Sequence, residues 1–109
     1  MANPPPGKST AVIAYITIAG WFIAWSMNKD KPEVFATWHI KNMFGLCLMF
    51  LIAVVTQYQI HLLVGDVLYI TTVLLWLFSL IMAIRDKKMG VPVLSAKFQE
   101  WFTFLGTSK

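Results

Sequence analysis

Two histidines are the side chains of this sequence best suited to bind a metal ion or a haem. His39 and His61 are separated by about 22 residues, roughly 30 Å along a helix, so they cannot share one metal within one subunit. Binding of a haem or pigment by a single histidine stays open as an alternative. We otherwise expect each histidine to lie at a membrane interface with a hydrogen-bond partner, and we predict no metal site and no cofactor.

A nucleophilic site would need a base beside a serine, threonine or cysteine. Cys47, the single cysteine, lies about two helical turns beyond His39 and is too distant to be activated by it. We expect Cys47 to be a small buried hydrophobic residue, and one cysteine excludes an internal disulfide. The hydroxyl groups of Ser79, Thr71 and Thr72 are expected to bond within their own helix or to a neighbour. We therefore predict that the protein is not an enzyme.

The most individual pattern in the sequence combines two aromatic side chains, an imidazole and an amide. These residues, Phe35, Trp38, His39 and Asn42, would lie on one face of a helix. In one interpretation this face packs against a C-terminal helix, and His39 and Asn42 bond to loop carbonyl groups. In the other, the four residues form a partner-docking or gating site at the rim of a membrane.

Gln57 and Asp66 are candidates for a polar site inside a membrane. If a helix begins at Ile60, Asp66 lies about 9 Å inside it, and a membrane-embedded carboxylate indicates function. If Gly65 and Asp66 form the turn and helix cap, Asp66 lies at the interface and needs no special partner. We favour the cap.

The elements that must position these residues are hydrophobic helices. Of the 109 residues, 58% are hydrophobic and 13% are charged, whereas soluble domains average about half apolar and about a quarter charged. This balance indicates a lipid environment. The net charge of +4 is not gathered into a basic stripe with polar surroundings, so we predict no nucleic-acid partner. Three predicted transmembrane helices cover about residues 10–27, 40–58 and 66–84, after a disordered arm over residues 1–8 and before a C-terminal segment over residues 91–109.

Small and aromatic side chains in the first segment predict how it packs. Gly20 and Ala24 are spaced so that another helix could approach closely. Trp21 and Trp25 lie four residues apart near the end of the segment, where interfacial anchors are expected.

The last part of the sequence predicts a short amphipathic helix. Its apolar residues recur at helical spacing, which places them on one stripe. About a dozen residues are too few to span a bilayer, so the helix should lie along the membrane surface or against the first half of the second hydrophobic helix. The stripe consists of Leu94, Phe98, Trp101, Phe102 and Leu105.

Basic residues predict the orientation of three spans. One side of the membrane would hold eight of them and the other side only Lys8, so the C-terminus should be cytoplasmic and the N-terminal arm outside. A re-entrant first segment, with both termini inside, is the alternative topology. The eight residues are Lys29, Lys31, Lys41, Arg85, Lys87, Lys88, Lys97 and Lys109.

Three stretches of this sequence carry a resemblance to a known family. They are AYITIAGWFIAW, FATWHIKNMFGL and VPVLSAKFQEWF, and a further hydrophobic segment separates the last two. In this order they resemble a family of small bacterial membrane proteins of unknown function related to the chloroplast Tic import component. Asn42 stands where the family usually has Gln, and Ser95 where it usually has Gly. The resemblance implies an integral protein of a bacterial inner membrane and, through the organellar relatives, a role in protein translocation.

We therefore predict an all-α integral membrane protein with three transmembrane helices and a C-terminal amphipathic interfacial helix. So few helices leave much apolar surface for lipid or for a protein partner. The expected function is that of a non-catalytic small inner-membrane subunit or accessory factor of a larger membrane complex. A small homo-oligomeric channel or transporter is an alternative, in which Gln57 and Asp66 would face a water-filled axis.

Overall fold

The computed structural model describes residues 5–90 and 94–106, and this part of the chain contains helices and no strand. The predicted all-α class is therefore confirmed. Residues 1–4 of the predicted N-terminal arm lie outside the described residues, and Lys8, its last residue, already begins the first helix. The helices are α1 (Lys8–Ile16), α2 (Ile18–Asp30), α3 (Val34–Gln59), α4 (Leu62–Ile84) and α5 (Leu94–Trp101), followed by a 3₁₀ turn at Thr103–Leu105.

The two longest helices, α3 and α4, form an antiparallel pair. Ile60 and His61 connect them, and the backbone N–H groups of both donate to the Thr56 carbonyl at 3.1 and 2.8 Å. Gly65 lies so close to the Gln57 backbone that a Cβ at that position would overlap it. Both helices have the length and apolar composition needed to cross a membrane, with mean hydropathies of 1.7 for α3 and 2.4 for α4.

The prediction of a continuous first span over residues 10–27 is wrong, because the helix breaks at Thr17. The Thr17 backbone is extended, and its hydroxyl accepts a hydrogen bond from the Gly20 N–H at 3.0 Å, which caps the start of α2. The resulting helices of 9 and 13 residues are each too short to cross a bilayer. Residues 5–90 and 94–106 thus contain two candidate spans and not the three predicted.

The helical hairpin formed by α1 and α2 begins and ends beside the same end of the α3–α4 pair. Lys8, at the start of α1, forms an ion pair of 2.8 Å with Asp86, which follows α4. Asn28, near the end of α2, donates to the Thr37 hydroxyl at 2.7 Å, close to the start of α3. Both ends of the hairpin therefore lie beside one end of the pair, as a re-entrant first segment would require, and the membrane topology stays a prediction. The sequence predicted the N-terminal arm and the C-terminus on opposite sides of the membrane. That prediction assumed that residues 10–27 cross the membrane as one continuous helix, which they do not form.

Basic residues lie toward the same end of the molecule, which we call the basic end. It holds the start of α1, the end of α2, the start of α3, the end of α4, and α5. No Lys or Arg occurs between Asn42 and Ile84. The eight described basic residues are Lys8, Lys29, Lys31, Lys41, Arg85, Lys87, Lys88 and Lys97.

The small residues of α2 allow the close packing that the sequence predicted. Gly20 and Ala24 are both buried, and the element that approaches Gly20 is α1, whose Ile13 carbonyl leaves no room for a Cβ. The predicted anchoring role is wrong for Trp21, which is only 5% exposed and donates its indole N–H to the Ile40 carbonyl at 2.9 Å. Trp21 therefore fastens the hairpin to α3.

The C-terminal helix α5 packs against the first half of α3, which was one of the two predicted positions. The Phe98 ring lies over Gly45, and a Cβ at Gly45 would overlap the ring. Phe98 and Leu105 are buried, whereas Leu94 and Trp101 are 37% and 59% exposed. The predicted single stripe is thus divided between the interior and the surface, and α5 ends at Trp101, before Phe102 and Leu105.

Candidate functional site

A cluster of four hydrogen-bonded side chains lies buried where α1, α3 and α5 meet. We call Tyr15, His39, Asn42 and Ser95 the buried polar cluster, and each of them is at most 5% exposed. Asn42 Nδ2 donates to the Tyr15 hydroxyl at 2.9 Å, and Asn42 Oδ1 accepts from the Ser95 hydroxyl. His39 Nδ1 lies 2.5 Å from the Tyr15 hydroxyl, and His39 Nε2 lies 2.8 Å from the Lys87 carbonyl oxygen.

The hydrogen bonds of the cluster run in one direction. A carbonyl oxygen can only accept, so His39 Nε2 carries a hydrogen and donates to Lys87. A neutral His39 then accepts the Tyr15 hydroxyl hydrogen at Nδ1, while the Tyr15 oxygen accepts from Asn42. With this assignment every polar atom in the series has a partner, which is the condition for burying such groups without a large penalty.

Separate elements supply the members of the cluster. His39 and Asn42 are three residues apart on α3 and therefore share a face, while the two hydroxyl groups come from the end of α1 and the start of α5. Gly90 packs so closely on the side-chain amide of Asn42 that a Cβ at position 90 would overlap the amide. The cluster therefore joins the hairpin, the residues after α4 and the C-terminal helix to α3.

The hydrogen bonds of the buried polar cluster hold helices together. The only serine hydroxyl in the cluster donates to an amide oxygen and not to His39, so no base is placed to activate it. Both ring nitrogens of His39 are hydrogen-bonded, so neither is presented to a haem or metal. Within residues 5–90 and 94–106, no three metal-binding side chains of the His, Cys, Asp and Glu types come together.

The four residues of the predicted α3 pattern lie close together in the structure, but most of them are buried. Phe35 is 7% exposed and its ring lies edge-on to His39, with centroids 4.8 Å apart. Trp38 is partly buried, and its carbonyl accepts from the Gln99 side chain at 3.0 Å. His39 and Asn42 have no exposed surface, so they cannot themselves form the surface of a docking site. His39 bonds to a loop carbonyl, as in the packing interpretation, whereas Asn42 bonds to the hydroxyl groups of Tyr15 and Ser95 and to no loop carbonyl in the described residues.

Two further sets of bonds fasten the hairpin to its neighbours. Trp76 on α4 donates its indole N–H to the Tyr15 carbonyl at 2.7 Å, next to the break between α1 and α2. Asn28 also accepts from the Glu33 N–H at 2.9 Å, while Thr37 donates to the Glu33 carbonyl at 2.8 Å. The tip of the hairpin and its C-terminal end are thus both held by side chains.

Lys41 is buried on α3 although it carries a charge. It is 2% exposed, and its Nζ lies 3.4 Å from the Gln99 carbonyl oxygen. The side chain of Gln99 in turn donates to the Trp38 carbonyl on α3. The charge of Lys41 therefore lies under α5, where its long apolar stem packs and its ammonium group reaches a polar backbone.

Gln57 and Asp66 do come together, at the end of the molecule opposite the basic end. Gln57 Nε2 donates to Asp66 Oδ1 at 2.6 Å. The favoured cap interpretation is wrong, because α4 begins at Leu62 and His61 is its N-cap, accepting from the Val64 N–H at 3.4 Å. Asp66 Oδ1 thus has a partner within one subunit, and the channel alternative stays a prediction.

Sequence reasoning missed Tyr15 and Ser95, which complete the buried polar cluster. Tyr15 was available as a signal, since a tyrosine in the middle of an apolar segment needs a partner for its hydroxyl. Nothing in the sequence identified that partner, because 24 residues separate Tyr15 from His39. The sequence drew attention to Ser95 only because the family that it resembles usually has Gly at that position.

An apolar groove lies beyond the tip of the hairpin, between α3 and α4. Its volume is about 530 Å³. The hairpin tip, residues 15–18 with the break at Thr17, lines one end of it. We call this space the tip groove; its walls are Met43, Cys47, Phe50, Leu51 and Val54 from α3 and Tyr69, Val73 and Trp76 from α4.

Comparison with family models, curated proteins and solved structures returns no match for this chain.

Proposed function

We propose that this protein is a non-catalytic small subunit or accessory factor of a larger complex in a bacterial inner membrane. The observation that carries the proposal is the surface of α4. Only 22% of its most apolar stretch is buried within the chain, so the remainder is available to lipid and to a partner. The exposed residues include Val67, Ile70, Leu74, Leu77, Phe78 and Ile81.

In this proposal α3 and α4 cross the membrane, and the α1–α2 hairpin enters it from the cytoplasmic side without crossing. The support is the concentration of positive charge at the basic end, since cytoplasmic segments of membrane proteins are enriched in Lys and Arg. The paired ends of the hairpin beside that end, with Lys8 bonded to Asp86, support the same side for the start of α1. A role linked to protein translocation is supported by the resemblance to the Tic-related family alone.

Cysteine labelling tests the topology. In a Cys47→Ser background, Gln59→Cys should react with a membrane-impermeant maleimide applied to intact spheroplasts. Ser9→Cys and Lys97→Cys should react only after the membrane is permeabilised. Labelling of Ser9→Cys from outside would restore a crossing first segment and contradict the re-entrant hairpin.

Photocrosslinking tests the subunit role. A benzophenone amino acid in place of Leu74, which is 61% exposed on α4, should form an adduct with one discrete protein in native membranes. The same group in place of the neighbouring Leu75, which packs on the core, is the matched control and should form none. Adducts with lipid alone at Leu74 would contradict the subunit role, and adducts with a second copy would favour the homo-oligomer.

A further inference from the structure

We propose that His39 makes the docking of the α1–α2 hairpin on α3 sensitive to pH, so that acidification at the basic end loosens the hairpin. The imidazole joins two elements, because one ring nitrogen bonds to Tyr15 of α1 and the other to Lys87, after α4. The inference concerns contacts within the chain and does not depend on the side of a membrane that the basic end faces.

The hydrogen bonds of His39 fit a neutral imidazole and not a charged one. Nε2 donates to the Lys87 carbonyl, so Nδ1 of the neutral ring is free to accept from the Tyr15 hydroxyl. A second proton on the ring would sit at Nδ1 and point at the Tyr15 oxygen, which already accepts from Asn42. The hydroxyl hydrogen of Tyr15 would then lose its acceptor, and a buried donor without an acceptor destabilises the docked arrangement.

The surroundings of His39 also disfavour a positive charge. The side chain has no exposed surface, and its ring neighbours on α3 are Phe35 and Trp38. Tyr15 is the titratable side chain that bonds to it, and a tyrosine hydroxyl keeps its proton below about pH 8. The charged group that acts on the ring most directly is Lys88, which is itself positive.

Among the described residues, no carboxylate bonds to His39 as a counter-charge. Asp86, after α4, pairs with Lys8 of α1 at 2.8 Å, and Glu100 of α5 pairs at 3.7 Å with a lysine of its own helix. Lys41 extends its ammonium group to a backbone carbonyl of α5. The charged groups on the elements around the buried polar cluster are Lys8 from α1, Glu33 and Lys41 at the start of α3, Arg85, Asp86, Lys87 and Lys88 after α4, and Lys97 and Glu100 on α5.

A pocket at the basic end lies next to the contacts of His39. Its volume is about 440 Å³, and its lining includes Phe35, whose ring lies edge-on to the imidazole with centroids 4.8 Å apart. Asp86 and Lys88, on either side of the carbonyl that accepts from His39, line the same pocket. Water at the basic end therefore reaches the neighbours of His39, and movement of α1 would admit it to the ring.

Opening of the hairpin is thus coupled to the uptake of one proton. His39 is neutral while Tyr15 covers Nδ1, whereas an exposed histidine has a pKa of about 6.5. Because the open form binds more protons, docking is fully favoured above about pH 6.5 and weakens as the pH falls below that value. The opening constant rises by up to about tenfold per pH unit, which gives about 30-fold between about pH 8 and about pH 5.

Hydrogen exchange of the full chain in a neutral detergent tests the proposal. Protection factors, which remove the intrinsic effect of pH on exchange, should fall about 30-fold for α1 amides from about pH 8 to about pH 5 and stay unchanged in the middle of α4. His39→Gln keeps a donor for the Lys87 carbonyl but takes up no proton, so its α1 protection should not depend on pH. His61→Gln is the matched control, because His61 is exposed at the other end of the molecule and should keep the full response.

His39→Asn, which keeps an acceptor for the Tyr15 hydroxyl instead, repeats the test if His39→Gln does not fold. Equal α1 protection at both pH values in the unsubstituted chain would overturn the proposal. An equal fall in the unsubstituted chain and in the His39 variant would also overturn it, because the proton would then bind elsewhere. A fall in α4 as large as that in α1 would mean global unfolding by acid and would contradict release of the hairpin.

Discussion

Replacing Tyr15 with phenylalanine is expected to lower the free energy of unfolding by about 3 kcal/mol. The substitution removes one oxygen and leaves the shape of the ring unchanged. That oxygen is the partner of both His39 Nδ1 and Asn42 Nδ2, so two buried polar groups lose a hydrogen bond. Each such group costs about 1–3 kcal/mol when left unsatisfied. Unfolding by a denaturing detergent, followed by far-ultraviolet circular dichroism, measures the change.

Tyr58→Phe is the matched control for this prediction. Tyr58 loses the same oxygen but is 78% exposed, so its effect should stay within about 0.5 kcal/mol. Equal stabilities for Tyr15→Phe and Tyr58→Phe would mean that the buried polar cluster does not hold the hairpin to α3. Hydrogen exchange of α1 amides gives a second readout, and it should accelerate only in Tyr15→Phe.

The substitution Gly20→Leu is expected to separate α1 from α2. A Cβ at Gly20 would meet the Ile13 carbonyl, which is backbone and cannot turn aside as a flexible side chain could. Overpacking of this kind costs about 1–3 kcal/mol, and the upper end is expected here because the obstacle is main chain. The measurement is the same detergent-induced unfolding, together with the rate of hydrogen exchange in α1 and α2.

The neighbouring Ala19 supplies the control. Ala19 is exposed on α2, so Ala19→Leu adds a similar side chain to the same helix without meeting α1. It should leave both stability and exchange nearly unchanged. If Gly20→Leu were as stable as Ala19→Leu, the close packing of the hairpin would not depend on glycine.

Much of this fold follows from local sequence. The length and apolar composition of the segments that became α3 and α4 predicted two helices able to cross a membrane, because both properties are local. The polar residues Gln57 and His61 lie where these helices end and begin, as expected of interfacial positions. The periodicity of the C-terminal segment likewise predicted an amphipathic helix, and one of its two expected positions is the observed one.

Tertiary contacts decided the rest, and the first segment demonstrates why. A helix that is apolar on all sides gives no pattern to distinguish a lipid-facing side from a packed one, so residues 10–27 gave no sign of a turn. Whether Thr17 continues a helix or caps a new one depends on Gly20 meeting Ile13 and on Trp76 reaching the Tyr15 carbonyl. The hydrogen bond from Trp76 to the Tyr15 carbonyl joins residues that are 61 positions apart in the sequence.

His39 and Asn42 show the same difference between what local sequence and what tertiary contacts determine. Their types and helical spacing alone placed His39 and Asn42 on one face of a helix, as neighbours three residues apart. Only the folded chain brought the Tyr15 hydroxyl, the Ser95 hydroxyl and the Lys87 carbonyl to them. The sequence determined that these two polar groups share a helix face, and the tertiary structure decided their partners, because hydrogen bonds form between groups that packing brings together from distant positions.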